Sequence, residues 1–336
     1  MYNKSMKKEI VFYLAHQFGD ILGSKQLVRY IVEQLGNSYE FYYIHRHHPD
    51  SVNFHEKVKV INLPFNIHFI PMYQVEQNLK SQGQFKDALF LNLWVGNLKG
   101  SREFFDNNGQ QYYIVPDVFG NYKFSPDTHI NGDIIWQSKI SNQIIDEIND
   151  YLVSLFSTKT LKYPTINDLI TKWNSDYLKK DDTENLLSDC SKYKLKVLIC
   201  NSDTKSGQRE NFSYENYLRD TISKYKDVSF IFTNKLENIE SDNVFYLDNY
   251  VSAPNLEAVE YISAFMDILT SSMSGPGQSV LNDRVLFDNT KTLIYIKKKL
   301  IGCYYDQGNC KTIQSDDFSK ENIVKIISEN IEEKLK

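Results

Sequence analysis

The chain has 336 residues, about twice the usual size of one domain, so two domains with separate cores are expected. Its 23 Tyr and 20 Phe supply large apolar surfaces for burial, which excludes a disordered protein. The net charge of −5 and the lack of a basic stretch exclude a typical nucleic-acid-binding surface.

Cysteine usage and the first residues indicate the compartment. Cys190, Cys200, Cys303 and Cys310 form no CxxC pair, so we expect reduced thiols in a cytoplasmic protein. A Cys303–Cys310 pair formed under oxidants is the alternative. The first twenty residues have a basic start but no sustained apolar segment, which predicts neither a signal peptide nor a membrane span.

The first half of the chain alternates between apolar runs and amphipathic stretches. Residues 9–15 predict a buried strand, and the turn at 16–20 leads into a helix that Gly36 closes. Strands are then expected at 40–44, 58–63, 88–95 and 112–115, and helices at 72–81 and 138–156. Such a series is typical of an open parallel sheet flanked by helices.

The second half has the same alternation of apolar runs and amphipathic stretches, and it begins after a polar and charged segment. Residues 161–192 predict a linker between domains at 1–160 and 193–336. Strands are expected at 195–200, 228–233, 243–247, 266–269 and 293–296, and helices at 214–225, 256–265, 279–283 and 320–335. The sequence therefore predicts an α/β protein with two Rossmann-like domains.

The turn HQFGD follows the first predicted strand and places Gly19 and Asp20 at the start of a helix. Ligands of open α/β sheets bind in the crevice at the carboxyl ends of the strands. Asp20 is therefore a candidate general base for an acceptor hydroxyl. Its carboxylate could equally cap the helix N-terminus, and the local sequence does not separate the two.

A second candidate is the segment SSMSGPGQ, which lies between a predicted strand and a helix. Its small residues would expose N–H groups at a positive helix end, where a phosphate is neutralised. The alternative is an ordinary tight turn. The phosphate-binding candidates are Ser271, Ser272, Ser274, Gly275, Gly277 and Gln278.

The segment NSDTKSGQRE follows the first predicted strand of the second half and carries two cations, Lys205 and Arg209. Arg is suited to bidentate contact with phosphate. Each residue alone would more often be a solvated surface charge. Together with the small-residue segment, the pair is expected to offset the charge of a diphosphate.

Candidate acceptor contacts are polar residues of the first half. They include the cluster IHRHHPD, in which metal binding lacks a carboxylate or Cys partner at known spacing, and the long polar segment at 116–133. The predicted acceptor contacts are His16, Gly19, His45, His47, Asp117 and His129, and no metal site or cofactor is predicted.

Three of these stretches resemble one family. The stretches GDILGSKQLVRYI, LICNSDTKSGQRENFS and MDILTSSMSGPGQSVLN resemble motifs of the heptosyltransferase-like glycosyltransferases of the GT-B fold, in the same order along the chain. The resemblance implies two Rossmann-like domains facing across a cleft, and it allows the C-terminal helix to cross back to the N-terminal domain. It also implies an acceptor domain at 1–160 and a nucleotide-sugar domain at 193–336.

The same resemblance implies roles for single residues. It puts the base at Asp20, the diphosphate-binding cation at Arg209 and the phosphate-binding turn at Ser274 and Gly275. The sequence departs from the family at Gln208, where Lys is usual, and at Met273, where Asp is usual. No His follows SGPG, because Gln278 occupies that region.

The expected function is transfer of a hexosyl or heptosyl group from a nucleotide diphosphate sugar to a carbohydrate hydroxyl, in polysaccharide biosynthesis. Inversion and independence of metal are expected, and the nucleotide sugar is a substrate rather than a cofactor. A glycan or lipid-linked glycan is the expected acceptor, with peripheral membrane contact left open and no nucleic-acid partner. The alternatives are a catalytically degenerate GT-B protein that binds a glycan or a partner, and a sugar-nucleotide epimerase.

Overall fold

The computed structural model divides the chain into two compact units, Met1–Ile170 and Thr171–Lys336. The domain boundaries drawn from the sequence stay a prediction. The residues that the structure describes are 8–14, 18–45, 55–64, 67, 70, 72–92, 113–114, 172–173, 181–202, 212–252, 256–271, 277, 279–296 and 309–336. Helices and strands are numbered over these residues.

The first unit contains a five-stranded sheet in which every pair of neighbouring strands is parallel. The strand order is β3-β2-β1-β4-β5. Its elements are β1 (Lys8–Leu14), α1 (Phe18–Leu35), β2 (Tyr39–His45), β3 (Val58–Ile61), α2 (Met72–Ser81), β4 (Leu89–Asn92) and β5 (Tyr113–Ile114).

The central strand β1 explains why this sheet needs cover on both faces. From Ile10 to Leu14 no residue of β1 is more than 2% exposed, so its apolar run is continuous rather than alternating. Helix α1 ends at Gly36, whose φ of 61° is the left-handed conformation that glycine adopts at little cost. A buried run followed by a glycine-terminated helix is what the sequence predicted here.

The second unit contains a six-stranded parallel sheet with the order β11-β10-β9-β6-β7-β8. Helices α3 (Asp181–Cys190), α4 (Tyr214–Lys224), α5 (Leu256–Ser263), α6 (Asp283–Leu286) and α7 (Lys320–Leu335) accompany it. The strands are β6 (Leu195–Ile199), β7 (Val228–Phe232), β8 (Val244–Tyr246), β9 (Ile268–Ser271), β10 (Thr292–Ile296) and β11 (Lys311–Ser315).

Helix α7 packs on the sheet of its own unit. Its isoleucines at 323, 327 and 331 are each 0% exposed and join one core cluster with Val197 of β6 and Ile294 of β10. Ser319 caps the helix by accepting a hydrogen bond from the N–H of Asn322. These isoleucines therefore make the helix part of the core of the second unit, and its return to the first unit stays a prediction.

Two predicted elements of the second unit are displaced, and one strand was missed. The strand predicted at 266–269 lies at Ile268–Ser271. Gly277 and Ser279 are helical, so the helix expected at 279–283 lies earlier. A separate short helix, α6, starts after Asn282, whose side chain accepts from the N–H of Val285. Strand β11 was not predicted, since it is a partly exposed edge strand. The helix predicted at 138–156 lies outside the described residues.

Trp173 fixes the beginning of the second unit on α5 and α6. Its backbone N–H donates to Asp283 Oδ1 at 2.8 Å, and its Nε1–H donates to the carbonyl of Tyr261 at 3.2 Å. The indole stacks on the Tyr261 ring with centroids 5.6 Å apart, and the Arg284 guanidinium lies over it. Aromatic stacking and two hydrogen bonds therefore hold this residue in place.

Lys291 is a buried cation whose side chain caps the carboxyl end of α5. The residue is 6% exposed, and its Nζ donates to the carbonyls of Ala264 at 2.8 Å and Met266 at 2.7 Å. These carbonyls follow the C-terminus of α5, where helix carbonyls lack partners and a positive charge is favourable. Burial lowers the pKa of Lys291, and Asp288 opposes that shift.

Replacing Lys291 tests this cap. Lys291→Met keeps the apolar stem but leaves two carbonyls without their donor, so we expect unfolding to require about 2–3 kcal/mol less. The free energy of unfolding in urea measures this. Lys194→Met is the matched control, because Lys194 pairs with Asp227 on the surface. Loss of this exposed ion pair should hardly change the free energy of unfolding. Equal effects of the two changes would contradict the proposed cap.

Candidate functional site

The winding of each sheet determines where a ligand can enter. In the first unit the chain runs outward from β1 through β2 to β3 and then returns to the other side of β1 as β4. In the second unit it runs from β6 through β7 to β8 and returns beside β6 as β9. Ligands of open α/β sheets bind outside the carboxyl ends of the strands at such reversals. The candidate edges are therefore those of β1 with β4 and of β6 with β9.

In the first unit this edge carries the start of α1. Strand β1 ends at Leu14 and α1 begins at Phe18, so Gly19 and Asp20 lie in its first turn, as the sequence predicted. The N–H groups of a first helical turn have no partner within the helix and favour an anion. Because α1 begins at Phe18, Asp20 is its third residue and lies past the N-cap position, so the capping alternative is corrected, whereas its role as base stays a prediction.

In the second unit the same kind of edge joins the two segments predicted to bind the donor. Ile199 at the end of β6 is in register with Thr270 of β9. The segment with Lys205 and Arg209 follows β6 in the chain, and the segment with Ser272, Ser274, Gly275 and Gln278 follows β9. These six residues lie outside the described part, whereas Gly277 is helical and buried. Their emergence from adjacent strands is described, and their contacts remain predictions.

A hydrogen bond ties β6 to β9 at this edge. The N–H of Cys200, the first residue after β6, donates to Thr270 Oγ1 at 3.2 Å, and both residues are 0% exposed. The strand ladder ends here, and a buried N–H without an acceptor is costly. The Thr270 hydroxyl therefore accepts from the Cys200 N–H in place of the backbone carbonyls that accept from earlier residues of β6.

Sequence reasoning missed a polar cluster at the exits of β6 and β7. Its members are Asn201 and Ser202 after β6 and Thr233 and Asn234 after β7. Each pair directly follows an apolar run, LKVLIC or VSFIF, at the predicted carboxyl edge. That position was the available signal, but no motif marks it.

The predicted acceptor contacts are only partly described. His45 is the last residue of β2, is 3% exposed and packs edge-on against the Tyr43 ring with centroids 5.7 Å apart. Gly19 lies in the first turn of α1. His16, His47, Asp117 and His129 lie outside the described residues, so their roles remain predictions.

The described residues offer little for metal or thiol chemistry. Across them, His, Cys, Asp and Glu side chains form no group of three that could hold a metal ion. Among these residues Cys190, Cys200 and Cys310 form no disulfide and are buried, and burial raises the pKa of the Cys190 thiol to about 12. A thiol of this kind is a poor nucleophile at neutral pH. Within the same residues, no helix combines the length and apolar character that a membrane span requires.

Comparison with known proteins gives a fold. No protein-family model matches the sequence. No curated protein sequence matches it either. Among solved structures, a family 9 glycosyl transferase of Veillonella parvula has a TM-score of 0.57 at 10% identity and covers 97% of each chain. The E. coli ADP-heptose LPS heptosyltransferase II has a TM-score of 0.51 at 10% identity and covers 98% of this chain and 100% of its own.

The chain has the heptosyltransferase-like GT-B fold. This agrees with the two parallel α/β sheets and with the resemblance seen in the sequence motifs. A putative UDP-N-acetylglucosamine 2-epimerase of Listeria monocytogenes is also similar, with a TM-score of 0.53 at 9% identity over 97% of this chain and 88% of that one. Transferases and an epimerase therefore share this architecture.

Thr270 offers a direct test of the β6–β9 tie. Thr270→Val preserves shape but removes the acceptor, so the Cys200 amide should exchange with solvent faster and unfolding should cost about 1–3 kcal/mol less. Thr270→Ser keeps the hydroxyl and should preserve protection of that amide. Residue-resolved hydrogen exchange of both variants makes the measurement. Equal protection of Cys200 in the two would show that the hydroxyl is not its acceptor.

Proposed function

We propose that the protein is a glycosyltransferase that moves a sugar from a nucleotide diphosphate sugar to a carbohydrate hydroxyl, with inversion and without a metal. The observation that carries the proposal is the edge of β6 and β9. Two adjacent strands at the reversal of a GT-B sheet lead into the segments that bear Arg209 and the small residues around Gly275. Fold similarity to two glycosyltransferases supports this choice.

In this mechanism the acceptor hydroxyl attacks the anomeric carbon as the bond from that carbon to the diphosphate breaks. Asp20 takes the hydroxyl proton, which makes the oxygen a better nucleophile. Arg209 and the N–H groups near Ser274 and Gly275 stabilise the negative charge that the diphosphate gains on departure. The expected acceptor is a glycan or a lipid-linked glycan.

An epimerase is the second candidate, because the similarity to a putative UDP-N-acetylglucosamine 2-epimerase is of the same order as that to the transferases. An epimerase acts on the donor alone. Incubation of the protein with a nucleotide sugar and no acceptor, followed by sugar analysis, separates the two. A new epimer without acceptor would favour this candidate over the transferase.

Binding of a nucleoside diphosphate can be tested by thermal unfolding. We expect UDP or ADP to raise the unfolding temperature, since a ligand at about 100 times its Kd stabilises a protein by ~2.7 kcal/mol. Arg209→Gln should reduce that rise by weakening the phosphate contact. Arg219→Gln is the control, because Arg219 pairs with Glu215 on the surface of α4. A chain stabilised by none of the common nucleoside diphosphates is expected of a degenerate GT-B protein and would contradict the transferase proposal.

The role of Asp20 as the base can be tested by substitution. Asp20→Asn removes the proton acceptor while keeping size and hydrogen bonding, so transfer should fall by at least ~100-fold with nucleotide affinity nearly unchanged. Release of nucleoside diphosphate in the presence of a glycan panel measures transfer, and calorimetry measures affinity. Asp87→Asn, an exposed change before β4, should alter neither. Turnover retained by Asp20→Asn would remove Asp20 from the role of base.

A further inference from the structure

The side chain of Asn201 joins the ends of β6 and β7 after their ladder has finished. Its Oδ1 accepts from the Asn234 N–H at 2.8 Å and from the Thr233 hydroxyl at 3.0 Å. Its Nδ2 donates to the carbonyl of Asn234 at 2.9 Å. Its backbone N–H donates to Thr233 Oγ1 at 3.2 Å. Four hydrogen bonds thus connect one residue after β6 to two residues after β7.

This arrangement replaces backbone pairing where two chains part. An Asn side chain carries the same donor and acceptor as a peptide group, so Asn201 presents to Asn234 what a further strand residue would present. Ser202 continues the contact, because its Oγ bonds to Asn234 Oδ1 at 3.1 Å. The two chains are therefore kept side by side for residues beyond the last ladder pair, Ile199 with Phe232.

The other flank of the β6 exit is held as well, by the bond from Cys200 N–H to Thr270 Oγ1. The first residues after β6 are thus restrained from β7 on one side and from β9 on the other. The position of Cys200 and Asn201 is therefore fixed relative to both neighbouring strands. This is the strand whose carboxyl end forms half of the β6–β9 edge.

We infer that Asn201 is a positioning residue for the nucleoside diphosphate: it fixes the exit of β6 at the edge where the diphosphate binds. The inference rests on the proposed function. Preorganisation of this kind raises affinity because the ordering cost is met before the ligand arrives. Asn201 does not need to touch the ligand, since it acts through the chain that it orients.

A purely structural asparagine would affect stability without affecting nucleotide affinity. Asn243 is an example of such a residue. Asn243 is 2% exposed and its Nδ2 donates to the carbonyls of Ile222, Tyr225 and Val228 at 3.0–3.3 Å. It immediately precedes β8, so it lies at the amino edge of the same sheet, opposite the β6–β9 edge. Asn243 is therefore a matched control in the same unit.

The experiment compares Asn201→Ala with Asn243→Ala in the full chain. Thermal unfolding measures stability, and calorimetry with UDP and with ADP measures Kd. We expect Asn201→Ala to raise the Kd of the bound nucleotide by about tenfold, the equivalent of one lost interaction of ordinary strength. Asn243→Ala should lower the unfolding temperature at least as much and leave Kd within twofold of wild type.

A second variant tests whether the position lies near the ligand's charge. Asn201→Asp retains the acceptor atoms, loses the donor to Asn234 and adds a negative charge at this edge. Its Kd should exceed that of Asn201→Ala at low salt and approach it at high salt, because screening shortens the reach of the added charge. A Kd ratio between the two variants that does not change with salt would contradict placement beside the diphosphate.

The possible results distinguish failure of the Asn201 inference from failure of the proposed function. If the wild-type chain binds none of the common nucleoside diphosphates, UDP and ADP included, the proposed function fails and the inference fails with it. If it binds one of them and Asn201→Ala binds it equally well, the inference alone is overturned. Equal changes of Kd in Asn201→Ala and Asn243→Ala also overturn it, since a general loss of stability would then explain both.

Discussion

Both units depend on the return of the chain to the other side of its first strand. Once β1 or β6 has neighbours on both sides, the chain leaves it in one direction and leaves β4 or β9 in the other. A gap between these exits follows from the winding and does not require particular side chains. Specific residues are needed to decide what fills the gap. That division explains why this chain can share one architecture with transferases and with an epimerase at about 10% identity to each.

Polar side chains complete the hydrogen bonding where regular structure stops. Thr270 and Asn201 serve the backbone at the carboxyl edge of the second sheet, Asn243 serves three carbonyls at the amino edge, and Lys291 serves the end of α5. Buried N–H and C=O groups are paired in folded proteins, and the backbone beyond a strand end has lost the ladder that paired it. The second sheet is therefore closed at both edges by side chains that come from distant parts of the sequence.

The fold was largely predictable because parallel strands buried on both faces produce continuous apolar runs. LKVLI and VSFIF are such runs, and both form central strands. Strand β11, with the sequence KTIQS, has no such run because it lies at the sheet edge and is half exposed. The shift of β9 by two residues has the same kind of cause, since Met266 is apolar and buried but is held by Lys291 rather than by the ladder.

The candidate site was less predictable than the fold. The place of Asp20 at the start of α1 followed from a local turn, but the partnership of Asn201 with Asn234 spans 33 residues and has no periodic signal. Contacts of this range are set by the pairing of β6 with β7, which emerges only from the whole sheet. Local patterns thus identified the strands that form the edge, but not the side chains that connect the ends of those strands.

The position of α7 affects how the protein can be made. The isoleucines of this helix cover apolar residues of β6 that are synthesised more than 100 residues earlier. At a synthesis rate of ~5–20 residues per second, that apolar face waits for several seconds before its cover leaves the ribosome. The core of the second unit can therefore be completed only after α7 has been translated.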